Sequence, residues 1–297
     1  MTMRRIDGHI VRRTCHGINV FSCVRNEMLR LPHFLRYYRS IGASGFVIID
    51  NGSTDGTTEF LLEQSDVILH HTNSGYQKSE SGIIWIRELI RQYASGQWVV
   101  VADADEFLSI PVLHQDSLSD LCQSMDQDGH DAMCSLLLDM YSDKPFDETV
   151  VDGERNLWDI CPYYEMDSIT KAGFRLPPHS PAAIYVGGVR FRLFGVKCCL
   201  DKVNLFRASD GISIQRGMHS VVGSSPSPTW TVTRHFKFLS DFRSRVDEAV
   251  LSKEYWRNSF EYACYKQVLD KSASMTAVHK GSMRFTTVED FRMKWVV

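Results

Sequence analysis

Short apolar runs and amphipathic segments alternate along the N-terminal third of the chain. Ile18–Cys23 (INVFSC) is an apolar run of strand length and reads as a buried strand. In Glu27–Ile41 the apolar residues Leu31, Phe34, Leu35 and Tyr38 recur at helical spacing. Pro32 suits that helix's first turn, where its missing N–H costs little, and Gly42 marks its end. Phe46–Ile49 is a second strand, closed by Asp50. Asn51–Gly56 (NGSTDG) is turn chemistry, with Thr54 or Asp55 placed to cap a helix over Thr57–Gln64. Val67–His71 is a third strand. Ser81–Tyr93 is a helix with Ile83, Ile84, Ile86, Leu89 and Ile90 on or near one face. Trp98–Ala102 is a fourth strand, and it runs into Asp103-Ala104-Asp105-Glu106-Phe107.

The rhythm changes after residue 110. Leu118–Asp126 reads as a helix and Ala132–Asp139 as a strand leading into Met140-Tyr141. Ser142–Ser180 is long, irregular and proline-bearing, the kind of segment that often covers a site. Gly187–Phe194 and Lys202–Arg207 are candidate strands, Gly223–Pro228 a flexible turn, and Trp230–Phe238 an alternating strand. From Leu239 to Ser272 the pattern is helical and amphipathic, with Phe242, Val246, Ala249 and Val250 on one stripe.

Strand–helix repeats with near-continuous apolar strands predict a mostly parallel sheet covered by helices on both faces. Such sheets bind ligands beyond the carboxyl ends of their strands. The polar clusters Arg25-Asn26-Glu27, Asp50-Asn51-Gly52 and Asp103-Ala104-Asp105 all fall at those ends. Asp103 and Asp105, with Glu106 beside them, cannot crowd together cheaply unless something positive joins them. A hard divalent cation, Mg²⁺ or Mn²⁺, prefers carboxylate oxygen and commonly bridges it to a substrate's phosphates.

Composition narrows the picture. Of 297 residues, 43% are hydrophobic and 23% charged, which excludes a disordered or collagen-like chain. Net charge is −3, with 33 basic against 36 acidic residues, and this argues against a nucleic-acid partner. No apolar run approaches the ~20 residues of a membrane span, and the basic N-terminus lacks an apolar signal region. The expectation is a cytoplasmic protein. Arg4, Arg5, Arg12 and Arg13 are its candidates for peripheral contact at the inner membrane face. The 8 cysteines form no CxxC pair and read as buried small hydrophobes.

The segment CVRNEMLRLPHFLRYYRSIGASGFVIIDNGSTDGT, followed by WVVVADADEF, resembles the nucleotide-sugar-binding half of a GT-A glycosyltransferase. More narrowly, it is similar to the family-2-like group with R-N-E, D-N-G-S-T-D-G-T and D-A-D-E-F signatures. The likeness runs over residues 18–110, and LLLDMYSD, GGVRFRLFG and TRHFKFLSDF extend it less specifically. It implies one α/β GT-A domain over 1–297. Residues 18–110 would be its nucleotide-sugar half, 111–240 its acceptor half and 241–297 a C-terminal helical segment.

It also implies roles. Cys23, Arg25 and Asn26 would hold base and ribose, with Arg25 able to stack as a planar cation. Asp50 and Asn51 would recognise the base or ribose edge. Asp103 would contact ribose or metal, and Asp105 would ligate Mn²⁺ or Mg²⁺. A late-strand histidine would complete the metal site: His235 in TVTRHFKF is preferred over His219 in RGMHSV, because Lys237 would share its side and meet a diphosphate oxygen. The general base for an inverting transfer would be Asp139, with Glu165 or Asp167 as alternatives. The donor would be a nucleotide-diphospho-sugar and the acceptor a glycan or lipid-linked saccharide.

One departure stands out: the second strand ends Asp50-Asn51, where the usual pattern has two acids. The Q-x-R-x-W signature of processive synthases is absent, as are the P-loop and the dinucleotide-binding glycine motif. The competing readings are a nucleotidyltransferase, which would usually carry a glycine-rich loop where SCVRNEMLR stands, and an inactive sugar-nucleotide-binding relative.

Overall fold

The structure is a computed structural model, and it describes residues 3–8, 17–111, 117–174, 183–272 and 274–288. The first seven strands are β1 (Arg4–Arg5), β2 (Asn19–Val24), β3 (Gly45–Asp50), β4 (Val67–His71), β5 (Trp98–Val101), β6 (Glu106–Leu108) and β7 (Ala132–Asp139). Four short strands follow: β8 (Tyr163–Tyr164), β9 (Ile169–Phe174), β10 (Ala183–Gly187) and β11 (Cys198–Cys199). Then come β12 (Asp201–Arg207), the hairpin β13 (Ser213–Ile214) and β14 (Val221–Val222), β15 (Thr231–His235) and β16 (Met283–Arg284).

Nine of these form one sheet in the order β1-β4-β3-β2-β5-β12-β7-β15-β6. β4, β3, β2 and β5 are mutually parallel, and β15 is parallel to β7. Only β1, β12 and β6 run against the rest. The alternation read from the sequence is visible in the packing. On one face, Val20, Phe46, Ile48 and Val100 join a core with α1 (Leu31–Ser40) and α4 (Leu118–Gln127). On the other, Phe21, Val47, Ile49 and Val101 meet α3 (Ile83–Tyr93). Each such side chain removed from water contributes about 1.5–3 kcal/mol, so register is strongly specified.

The helices start and stop where local chemistry dictates. Pro32 lies in the first turn of α1, and Gly42 beyond its end has φ +92°. α2 spans Thr57–Leu62, shorter than expected, and its first residue donates its N–H to Asp55 at 3.0 Å. Gly82 caps α3 with φ +82°, and a Cβ there would lie 2.9 Å from that of Cys23. Only glycine lets this helix start come so close to the end of β2.

Several expectations need correction. Gly187–Phe194 is not a strand: β10 ends at Gly187, and α6 (Val189–Phe194) follows between Gly188 and Gly195. The apolar run that looked like a strand instead sends Val189 and Phe194 into a third core cluster with Phe238, Phe242 and Tyr265. The described part of Ser142–Ser180 is not structureless, since it holds α5 (Leu157–Ile160), β8 and β9. The C-terminal helical stretch is two helices, α7 (Phe242–Ser252) and α8 (Trp256–Leu269). They part at Lys253, whose φ is +56°.

Arg4 and Arg5 form the edge strand β1, Arg4 exposed and Arg5 held by Asp7 at 2.6 Å. Arg12 and Arg13 lie outside the described residues. Among the described residues no helix is long and apolar enough to cross a membrane, and no disulfide links the cysteines.

Candidate functional site

A cleft of about 220 Å³ opens at the carboxyl ends of the parallel strands, with α7 and α8 forming its opposite wall. It is lined by Cys23, Arg25, Asn51, Asp103, Asp105, His235 and Lys237, which connects all three polar clusters to the late strand. Sheet register does the assembly. His235 is opposite Asp139 in the parallel β15–β7 pair and opposite Glu106 in the antiparallel β15–β6 pair. Asp105 immediately precedes Glu106, and its carbonyl accepts from the Phe236 N–H at 2.8 Å.

The imidazole of His235 is therefore gripped from both sides. Nδ1 lies 2.6 Å from Asp139 Oδ1, and Nε2 lies 3.1 Å from Asp105 Oδ2. Burial opposes a charge on this ring, but Asp105 and Asp139 overcome it and raise the pKa to about 9. Burial likewise works against an ionised Asp105, yet His235, Lys237 and Arg30 hold that carboxyl well below its ordinary range. Asp103 moves the other way: burial, then Glu106 and Asp105, push it up despite Lys202 and His235. Glu106 is neutralised by Lys202 at 2.6 Å. The cleft lining holds more carboxylates, six, than cations, which are Arg25, Lys237, Arg245 and a His235 whose proton stands between two carboxylates.

Those residues fit a divalent cation. With Nδ1–H donated to Asp139, Nε2 is free to act as a ligand, which is the carboxylate–histidine arrangement common behind bound metals. A cation at Asp105 would replace the Nε2 proton and relieve the charge that raises Asp103. Among the described residues, the three ligand atoms that already lie within 4.8 Å of one another are instead those of Glu165, Asp167 and His279. There Arg192 already neutralises Glu165 at 2.5 Å, so the charge argument for a cation is weaker.

The other expected site residues are distributed unevenly. Cys23 lines the cleft, its thiol pushed up by burial and by Asp103 and Asp50. Arg25 pairs loosely with Glu248 at 3.5 Å across the opening. Asn26 faces the same wall, its Nδ2 donating to Glu248 at 3.4 Å. Asp50 is fully buried and its oxygens accept from Ser53 and Thr58, so it builds the turn and is not available to read a base edge. Asn51 reaches the cleft, but its amide nitrogen donates to the Thr72 and Ser74 carbonyls. Lys237 stands over the Tyr262 ring, 5.0 Å from its centroid.

His219 is not at this site. It turns to the Asp201 carbonyl at 2.7 Å, and it does not line the cleft. Asp139 and Glu165, expected as bases, do not line the cleft either. Asp139 gives one oxygen to His235 and the other to Arg190 at 2.8 Å. Glu165 gives one to Ser168 and the other to Arg192. Asp167 sits beside Glu165 and is exposed.

Sequence reading missed the residues that brace the site. Arg30, 1% exposed, donates to both oxygens of Asp241 at 2.6 and 2.7 Å and to the Phe236 carbonyl at 3.1 Å. It ties the start of α1 to the segment carrying His235 and Lys237. Arg245 of α7 bonds Glu27 at 2.6 Å. Tyr76, Tyr255, Glu261 and Tyr262 also line the cleft. Nothing in local periodicity marks them, because the contacts span about two hundred positions.

Residues 34–180 match the family model described as glycosyl transferase family 2. The chain carries a family 2 glycosyltransferase domain. The matched stretch includes the D-N-G-S-T-D-G-T and D-A-D-E-F signatures; R-N-E precedes it. The family supports a transferase that uses a nucleotide sugar. No curated protein matches the chain. Among solved structures, 4-diphosphocytidyl-2C-methyl-D-erythritol synthase aligns over 65% of this chain and 75% of its own, at 13% identity and TM-score 0.32. A chain described as glucose-1-phosphate thymidylyltransferase from Bacillus anthracis aligns over 93% and 92%, at 9% identity and TM-score 0.30. At these scores neither likeness bears on activity.

Proposed function

We propose that this family 2 protein is a glycosyltransferase. It would move a sugar, with inversion, from a nucleotide-diphospho-sugar to a glycan or lipid-linked saccharide acceptor. The observation that carries the reading is the meeting of Asp103, Asp105, His235 and Lys237 in one cleft at the strand ends. The nucleoside would lie against Cys23, Arg25 and Asn51, and the sugar end toward Lys237 and α8. Asp105, His235 and Asp103 would hold Mn²⁺ or Mg²⁺, which supplies charge stabilisation to the departing diphosphate. Lys237 adds a positive charge on the same side. Asp139 holds the His235 ring in its tautomer, and Lys202 keeps Glu106 from adding a further free charge.

The test is binding, then turnover. UDP and GDP should raise the melting temperature only with Mn²⁺ present, and Asp105→Ala should remove that shift while the apo protein melts as a cooperative fold. Unchanged shifts in Asp105→Ala would refute the metal role. A screen of nucleotide-sugars should then release nucleoside diphosphate. Release or uptake of pyrophosphate would instead mark a nucleotidyltransferase.

A further inference from the structure

Transfer to a hydroxyl needs a group that removes its proton, and the identity of that group rests on the glycosyl-transfer reading. Such a base must reach the cleft, carry negative charge, and keep one oxygen unengaged. Asp139 and Glu165 fail on position and on both oxygens. The remaining cleft carboxylates can be sorted by their partners. Glu27 Oε1 is held by Arg245 at 2.6 Å; its Oε2 takes no hydrogen bond, but it is buried with Arg30 3.7 Å away, so no acceptor hydroxyl reaches it. Glu248 meets Arg25 and Asn26, and Glu254 accepts from the Gln77 N–H at 3.1 Å, so both belong to the nucleoside end. Asp103 and Asp105 form the acidic cluster itself.

Glu261, on the cleft-facing side of α8, is different. Its Oε1 accepts from the Tyr265 hydroxyl and lies 3.5 Å from Arg190 Nη1. Its Oε2 takes no hydrogen bond from any described residue, and the side chain is 26% exposed. The same Arg190 clamps Asp139, so Glu261 is braced through Arg190, Asp139 and His235 to Asp105. It is also among the charges that act on Lys237, together with Asp105. Glu261 is therefore at the sugar end of the cleft, anchored by one oxygen and open at the other.

We propose that Glu261 is the catalytic base for the acceptor hydroxyl. The acceptor O–H bond breaks toward Glu261 Oε2, and the oxygen's electron pair forms the new bond to the anomeric carbon. The bond from that carbon to the diphosphate oxygen breaks, its pair staying on the diphosphate. Glu261 then returns the proton to solvent. Burial opposes ionisation of this carboxyl, but Lys237, Arg190 and the Tyr265 hydroxyl outweigh it and lower the pKa, leaving an acceptor at neutral pH. These, Asp139 and the Cys198 thiol are the charged and titratable groups that face it.

The experiment uses the full chain with Mn²⁺ and a panel of UDP-, GDP- and dTDP-linked hexoses, water serving as acceptor. Glu261→Gln should slow release of nucleoside diphosphate by about 10²-fold or more. The Mn²⁺-dependent thermal shift by UDP or GDP should remain. Tyr265→Phe should keep the maximal rate within a few-fold and move the acid limb of the pH–rate profile upward, because one bond to the ionised form is lost. Glu261→Gln turning over within threefold of the natural chain would overturn the assignment. So would loss of the thermal shift along with the rate, which marks a structural role. A natural chain that releases no nucleoside diphosphate from any donor removes the transfer reading, and the base with it.

Discussion

Asp139→Asn separates two roles for the carboxylate at the end of β7: reacting base or brace for His235. In the structure it is a brace, with Oδ1 2.6 Å from His235 Nδ1 and Oδ2 2.8 Å from Arg190 Nε. Burial disfavours its charge, but Arg190 and His235 lower its pKa to about 2. The amide has the same shape and no charge, and its NH₂ must face either the ring N–H or the guanidinium, donor against donor. Removing one partner of a buried ion pair costs about 3–5 kcal/mol. Arg190 retains Glu261 at 3.5 Å, so the lower end applies. For about 3 kcal/mol in a chain of this length, the melting temperature should fall by about 5 °C. Loss of the partner that orients a metal-binding histidine should also weaken Mn²⁺ by about 10–100-fold. Differential scanning calorimetry reads the first effect. Mn²⁺ titration of the nucleotide-dependent thermal shift reads the second. A variant that melts within about 2 °C of the natural chain, with unchanged Mn²⁺ response, would refute the bracing argument.

Two other outcomes concern groups outside the chemistry. Arg30→Met leaves Asp241 and Glu27 without their buried cation, and should cost about 3 kcal/mol in denaturant unfolding; a loss below about 1 kcal/mol would show that Arg245 alone suffices. His70 is held down to about 4 from its ordinary 6.5 by burial and then by Arg5. As pH falls, the unfolded chain takes up this proton first, so the stability His70 contributes is full above about 6.5 and lost toward 4. Melting curves of His70→Gln against the natural chain should diverge in that window, the natural chain losing more; parallel curves would contradict it.

The four parallel strands β2 to β5 and helices α1 and α3 were legible because their signals are local. Period-2 and period-3.6 patterns, Pro32 and Gly42 act within a few residues of where they sit. α6 was misread because six residues are too few for periodicity to separate a short buried helix from a strand. Its fate was set by Phe194 and Val189 packing on Phe238 and Phe242.

By itself, the sequence determined a parallel sheet with polar clusters at its strand ends, and it singled out Asp103, Asp105, His235 and Lys237. Charge pattern and strand position suffice for the acidic pair, while His235, preferred over His219, and Lys237 came from the resemblance to GT-A glycosyltransferases. Only the tertiary structure decided which acids are free. Asp50, Asp139 and Glu165 look as available in the sequence as Glu261, yet each of the three has both oxygens engaged. Hydrogen bonds between residues brought together by strand register and by α7 and α8 folding back over the sheet are long-range facts. A carboxylate's usefulness as a base depends on those partners more than on its place in the chain.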